Sequence, residues 1–91
     1  MTELKREATV GTDSKEDVVV TLSPAPAGSG ISVEVSGKGA RQFGEEIEAA
    51  VRAALDEMDV REAAVTVQDN WAYDFTVRAR TKAAVHEARE D

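Results

Sequence analysis

Ser14 sits in Gly11-Thr12-Asp13-Ser14-Lys15-Glu16-Asp17, a short charged stretch ahead of an apolar run. A serine attacks carbonyls only when a base takes its proton, and no histidine lies near it in the sequence. Ser14 therefore reads either as an ordinary polar turn residue or as the accessible acceptor of a group that another enzyme attaches. The single histidine, His86, has no second His and no Cys with which to complete a metal site, so a surface position is expected for it. Arg78 and Arg80, followed by Lys82, alternate in a way that would line three cations on one strand face. Cross-strand pairing with acids such as Glu34, or recognition of a phosphate-bearing ligand, would follow from that arrangement. Glu45, Glu46 and Glu48 share the polar side of a helical pattern, which suits a solvated face or an acidic docking surface. Trp71 and Tyr73 fall at a turn, either as contact residues or folded onto the edge of the core.

Two glycine-bearing stretches invite comparison with phosphate-cradling loops. "GSGISV" lacks the third glycine of a dinucleotide fingerprint, and "SGKGA" has Gly39 where a phosphate loop needs Ser or Thr. Turn geometry explains both better.

A chain of 91 residues favours one modest core. With 11 Lys and Arg against 18 Asp and Glu, the net charge of −7 opposes binding to a phosphate backbone. Nucleic acid is excluded on that ground, and a protein partner with a basic surface is favoured. The absence of cysteine removes disulfides and thiolate metal sites. No apolar run approaches a membrane span, and the opening "MTELKRE" has no secretory character. No membrane association and a cytoplasmic location are expected.

Asp17 to Ser23 alternates Val18, Val20 and Leu22 against Val19 and Thr21, the period of a half-buried strand. "PAPAGSG", residues 24–30, is a loop. Ile31, Val33 and Val35 mark a second strand, expected to pair antiparallel with the first across so short a connection. Phe43, Ile47, Ala50, Val51, Ala54 and Met58 recur at three or four, predicting a helix over Ala40 to Met58 with a Glu48–Arg52 pair outside. "AAVTVQ", residues 63–68, returns to a period of two, Asp69-Asn70 reads as a turn, and "YDFTVRA" with Phe75, Val77 and Ala79 reads as the return strand of a hairpin. The tail allows a short terminal helix, and "EATVGT" either adds an edge strand through Thr9 and Val10 or stays mobile. The expected architecture is α+β: a two-layer sandwich in β-β-α-β-β order, one long helix on an antiparallel sheet.

The pattern resembles the citrate lyase acyl carrier protein, or gamma subunit, family. The similar stretches are Gly11-Thr12, "DVVVTLSP" at 17–24, "RQFGEEIEAAVRAALDEMDV" at 41–60, "VTVQDN" at 65–70 and "VRARTKAA" at 77–84. The chain is expected to divide into a flexible segment at 1–10 and a single acyl-carrier-like domain at 11–88. It implies a non-catalytic subunit whose serine carries 2'-(5''-phosphoribosyl)-3'-dephospho-coenzyme A through a phosphodiester, which identifies Ser14 as the attachment residue. The arm's thiol would hold acetyl or citryl groups, and Arg78 and Arg80 would meet its phosphates. The implied partners are lyase alpha and beta subunits and the transferase that mounts the arm. Counted without gaps, Lys15 falls on the family's serine position and Ser14 one residue earlier. The family's usual Gly-Ala-Leu-acid is here Trp71-Ala72-Tyr73-Asp74. The alternative is an unmodified interaction or scaffold module that keeps the carrier fold.

Overall fold

In the computed structural model, which describes residues 1–89, four strands and two helices follow in the order β1 (Ala8–Gly11), β2 (Asp17–Ser23), β3 (Ile31–Gly37), α1 (Ala40–Glu57), β4 (Ala63–Asn70) and α2 (Asp74–Arg89). The α+β class and the helix-on-sheet layering hold; the sequence reading of β-β-α-β-β does not. Residues 8–11 form the edge strand, and Tyr73 to Ala79, read as a return strand, is instead the approach to α2 and its first turns. The seven-residue alternation was too short to decide the period. Val77, Thr81, Ala84, Val85 and Ala88 are the buried residues of α2, a helical spacing that overrides it, while Phe75 of the supposed inner face is 70% exposed.

The sheet runs β1-β2-β4-β3 and is mixed, not antiparallel throughout. β2 lies antiparallel to β1 and β4, with Val20 opposite Val67, whereas β3 is parallel to β4, with Val33 opposite Val65. β2 and β3 therefore do not pair as the hairpin their short connection suggested. The α1 crossover returns the chain as β4, which inserts between them and forms both ladders. β4 gains hydrogen bonds on both edges and burial of Ala63, Val65 and Val67, which neither outer position offers.

The alternation in β2 and β4 reads out as written. Val18, Val20 and Leu22 bury beside Val65 and Val67, and the two helices cover the sheet's inner face, α1 with Ile47, Ala50, Val51, Ala54 and Leu55 and α2 with Val77, Ala84, Val85 and Ala88. α1 packs on β3 and α2, and α2 on β1 and β2. The Glu48–Arg52 pair forms as expected, Nε to Oε2 at 2.9 Å. The start of the chain is tied down by backbone bonds from Thr2 N–H to Asp59 O and from Lys5 N–H to Ala88 O, both 2.8 Å. Among the described residues no helix is long and apolar enough to cross a membrane.

Candidate functional site

Ser14 occupies the connection between β1 and β2, where a reversal of direction has to be made in five residues. Gly11 begins it at φ 109, with its missing side chain allowing the Val18 carbonyl to lie against its Cα. Ser14 to Asp17 then close a four-residue turn, Asp17 N–H donating to Ser14 O at 3.1 Å, with Glu16 at φ 64. Ser14 and Lys15 are both exposed. The Ser14 hydroxyl has no hydrogen-bond partner among the described residues, while its backbone N–H donates to Thr12 Oγ1 at 3.2 Å.

What fixes this turn comes from its own side chains and from two distant segments. Thr12 Oγ1 donates to Asp17 Oδ2 at 2.6 Å, and Asp17 Oδ1 accepts the Val18 N–H at 2.7 Å. From α2, Arg80 reaches the same carboxylate with both arms of its fork, Nε to Oδ1 at 3.1 Å and Nη2 to Oδ2 at 2.8 Å. From the end of β4, the Asn70 side-chain amide donates to Asp13 O and the Asn70 carbonyl accepts the Glu16 N–H, each at 2.8 Å. The Arg80 hydrogen bonds are the main cause that lowers the Asp17 carboxyl to about 2; partial burial opposes them, and Thr12, the Val18 N–H and the Arg80 charge reinforce them. An ionised Asp17 thus sits at the centre of a clamp, and the free hydroxyl rides on a loop whose backbone is hydrogen-bonded at Asp13, Ser14, Glu16 and Asp17.

The predicted row of three cations does not exist. On a helix, residues two apart diverge by about 200°, and each cation takes its own acid. Arg78 Nε meets Asp74 at 2.6 Å, Arg80 meets Asp17, and Lys82 Nζ meets Glu57 at 3.0 Å. Glu34, the pairing partner considered from sequence, is not among these acids. His86 is exposed and its Nδ1 lies 2.8 Å from Arg89 Nη2. No group of three metal-ligating side chains occurs among the described residues.

Three residues of the clamp, Thr12, Asp17 and Asn70, were not singled out from the sequence as site residues. A signal was present in the Gly11-Thr12 and Asp69-Asn70 pairs quoted for the resemblance. Asp69, read as a turn residue, is the last inward-facing residue of β4 and only 2% exposed. Its carboxylate accepts the N–H groups of Trp71 and Ala72, both at 3.1 Å, and turns the chain out of the sheet toward α2. Gly39 has no room for a Cβ because Asp69 Oδ2 occupies it.

Fold and site together define a class: a small α+β domain that presents one unbonded serine hydroxyl on a locked loop. The family model described as "ACP: Malonate decarboxylase delta subunit (MdcD)" matches residues 5–88. The chain is 37% identical over 89 residues to the citrate lyase acyl carrier protein of Lacticaseibacillus casei, covering 98% of this chain and 86% of that one. It is 40% identical over 87 residues to the citrate lyase acyl carrier protein of Fusobacterium nucleatum, covering 96% and 92%. The chain belongs to this acyl carrier protein family of citrate lyase and malonate decarboxylase. A chain in the crystal structure of a Pseudomonas malonate decarboxylase hetero-tetramer shares the fold, with a TM-score of 0.71, 18% identity and coverage of 97% and 92%.

Proposed function

We propose that the protein is the acyl carrier subunit of a citrate lyase-like complex in the cytoplasm, with no catalytic centre of its own, and that Ser14 is where its arm is attached. The observation that carries this is the Ser14 hydroxyl: exposed, without an internal hydrogen bond, and mounted on a turn held by Asp17, Asn70 and Arg80. A modifying enzyme needs an acceptor oxygen that costs no internal bond to take and that stands at a fixed place. The turn supplies both. Its surroundings suit 2'-(5''-phosphoribosyl)-3'-dephospho-coenzyme A joined through a phosphodiester, because neither burial nor a competing hydrogen bond opposes the ester at Ser14 Oγ. When attached, the group supplies a thiol that holds an acyl unit as a thioester. Arg80 serves the site through Asp17 and not as a phosphate ligand, and Arg78 is engaged by Asp74.

The work of such a subunit is positional. A tethered acyl group visits the alpha and beta subunits at high effective concentration without being released, so the carrier requires a fixed anchor and partner-facing surfaces instead of a pocket.

A second reading, an unmodified scaffold module, is favoured by one observation: Lys15, at the position of the family's serine, occupies the exposed tip of the turn. Intact mass spectrometry of the chain recovered from its native cell, beside a Ser14→Ala variant, separates the two. The expected result is an added mass matching the arm that the variant lacks. A bare wild-type chain in cells with an active transferase, or an added mass that survives in Ser14→Ala, overturns the assignment.

A further inference from the structure

The largest buried side chains are Leu22, Leu55 and a set of valines; no aromatic ring is among them. The chain's one Trp, one Tyr and two Phe all reach the surface, Phe43 and Trp71 each 43% exposed, Tyr73 55% and Phe75 70%. They are not scattered. Phe43 and Trp71 meet edge to face at 6.2 Å, Tyr73 stacks on Phe75 at 5.4 Å, and Phe43, Trp71 and Tyr73 rim a hollow of about 320 Å³ floored by Ile47, Ala50 and Val77. A contiguous aromatic patch on a domain whose core lacks aromatics altogether marks an interaction site, since Trp and Tyr dominate the energetic centres of interfaces.

The backbone holds this patch open at a cost. Trp71 stands at φ 63, a left-handed conformation that bulky residues avoid, and the Asp69 carboxylate maintains it by accepting the Trp71 N–H. The patch is also continuous with the anchor. Glu16 of the Ser14 turn lies close enough to Tyr73 to raise its phenol pKa, and Trp71 directly follows Asn70, which clamps that turn.

Charge selects the occupant. Glu46 and Asp74 line the hollow and Glu16 flanks it; among the described residues only Asp74 of the three has a cationic partner. A second copy of this chain would set acids against acids, on a protein already at −7. We infer that the Phe43–Trp71–Tyr73–Phe75 surface docks an enzyme subunit of the complex through an apolar groove rimmed by Lys and Arg, placing that subunit beside the root of the arm. The inference rests on the carrier reading and adds where, and to what chemistry, the carrier binds.

The test titrates the full-length chain against the lyase alpha and beta subunits of the same organism by calorimetry, together with Trp71→Ala and Phe75→Ser. Both variants remove exposed rings, and circular dichroism checks that each is folded. The expected results are binding by the wild type to one of the subunits, a loss of about tenfold or more in affinity for each variant, weakening with added salt, and a blue shift of Trp71 emission in the complex. Equal affinity of folded variants and wild type, or unchanged Trp71 emission at saturation, overturns the docking surface while the carrier reading stands. Binding to neither subunit overturns both. Self-association by sedimentation that Trp71→Ala abolishes would assign the surface to a second copy and overturn the inference.

Discussion

Breaking the Arg80 to Asp17 contact tests whether the Ser14 turn is held electrostatically. Asp17 is lowered from 3.8 to about 2, chiefly by the Arg80 hydrogen bonds. At about 1.36 kcal/mol per tenfold change in proton affinity, that gap corresponds to roughly 2.4 kcal/mol. The Arg80 side chain is 38% exposed and Asp17 13%, so solvent screening reduces the contribution to on the order of 1–2 kcal/mol. The folded value lies below the unfolded one, so this stability is fully present above about pH 4–5 and is lost as the pH falls through about 4 toward about 2. Arg80→Gln should lower stability by that amount at neutral pH, a fall in Tm of roughly 5–10 °C for a domain of this size. Urea denaturation of both proteins in steps from neutral pH down to about pH 2 should show the two stabilities converging as Asp17 is protonated. Loss of packing by the arginine stem would persist at every pH, so convergence isolates the ion pair. A gap that stays constant down to about pH 2, or no gap at neutral pH, would refute the clamp.

Two other expectations bear on the geometry around the turn. Gly37→Ala places a Cβ 2.6 Å from Asp69 N at φ 99, with backbone on both sides, so a loss of about 3 kcal/mol or more is expected by chemical denaturation; near-native stability would show that the β3 to β4 ladder can shift there. Tyr73 is the single tyrosine, and Glu16 raises its phenol above the ordinary 10.0, first by accepting its hydrogen bond and then by charge. Ultraviolet titration should therefore show later ionisation in the wild type than in Glu16→Gln, and superimposable curves would rule out the link between the aromatic patch and the turn.

The sequence was most legible where one surface decides one pattern. β2, α1 and most of β4 bury a single face each, so Val18, Val20, Leu22, Ile47, Val51, Val65 and Val67 declared their periods directly. It was least legible at Tyr73 to Ala79, where Phe75, Val77 and Ala79 alternate over too few residues to resist a helical reading. Ser14 could be picked out by its exposed charged surroundings, but its clamp could not. Asp17, Asn70 and Arg80 are far apart in sequence, and no local spacing announces that they converge.

By itself the sequence determined the α+β class, the principal helix, the inward faces of two strands and the exposed serine turn, because periodicity and turn chemistry are local properties. Only the tertiary structure decided that β4 enters between β2 and β3, that Arg80 spends its charge on Asp17, and that four aromatic rings gather at the surface near the Ser14 turn. Those outcomes depend on which distant segments become neighbours, and that choice is made by the packing of the whole chain.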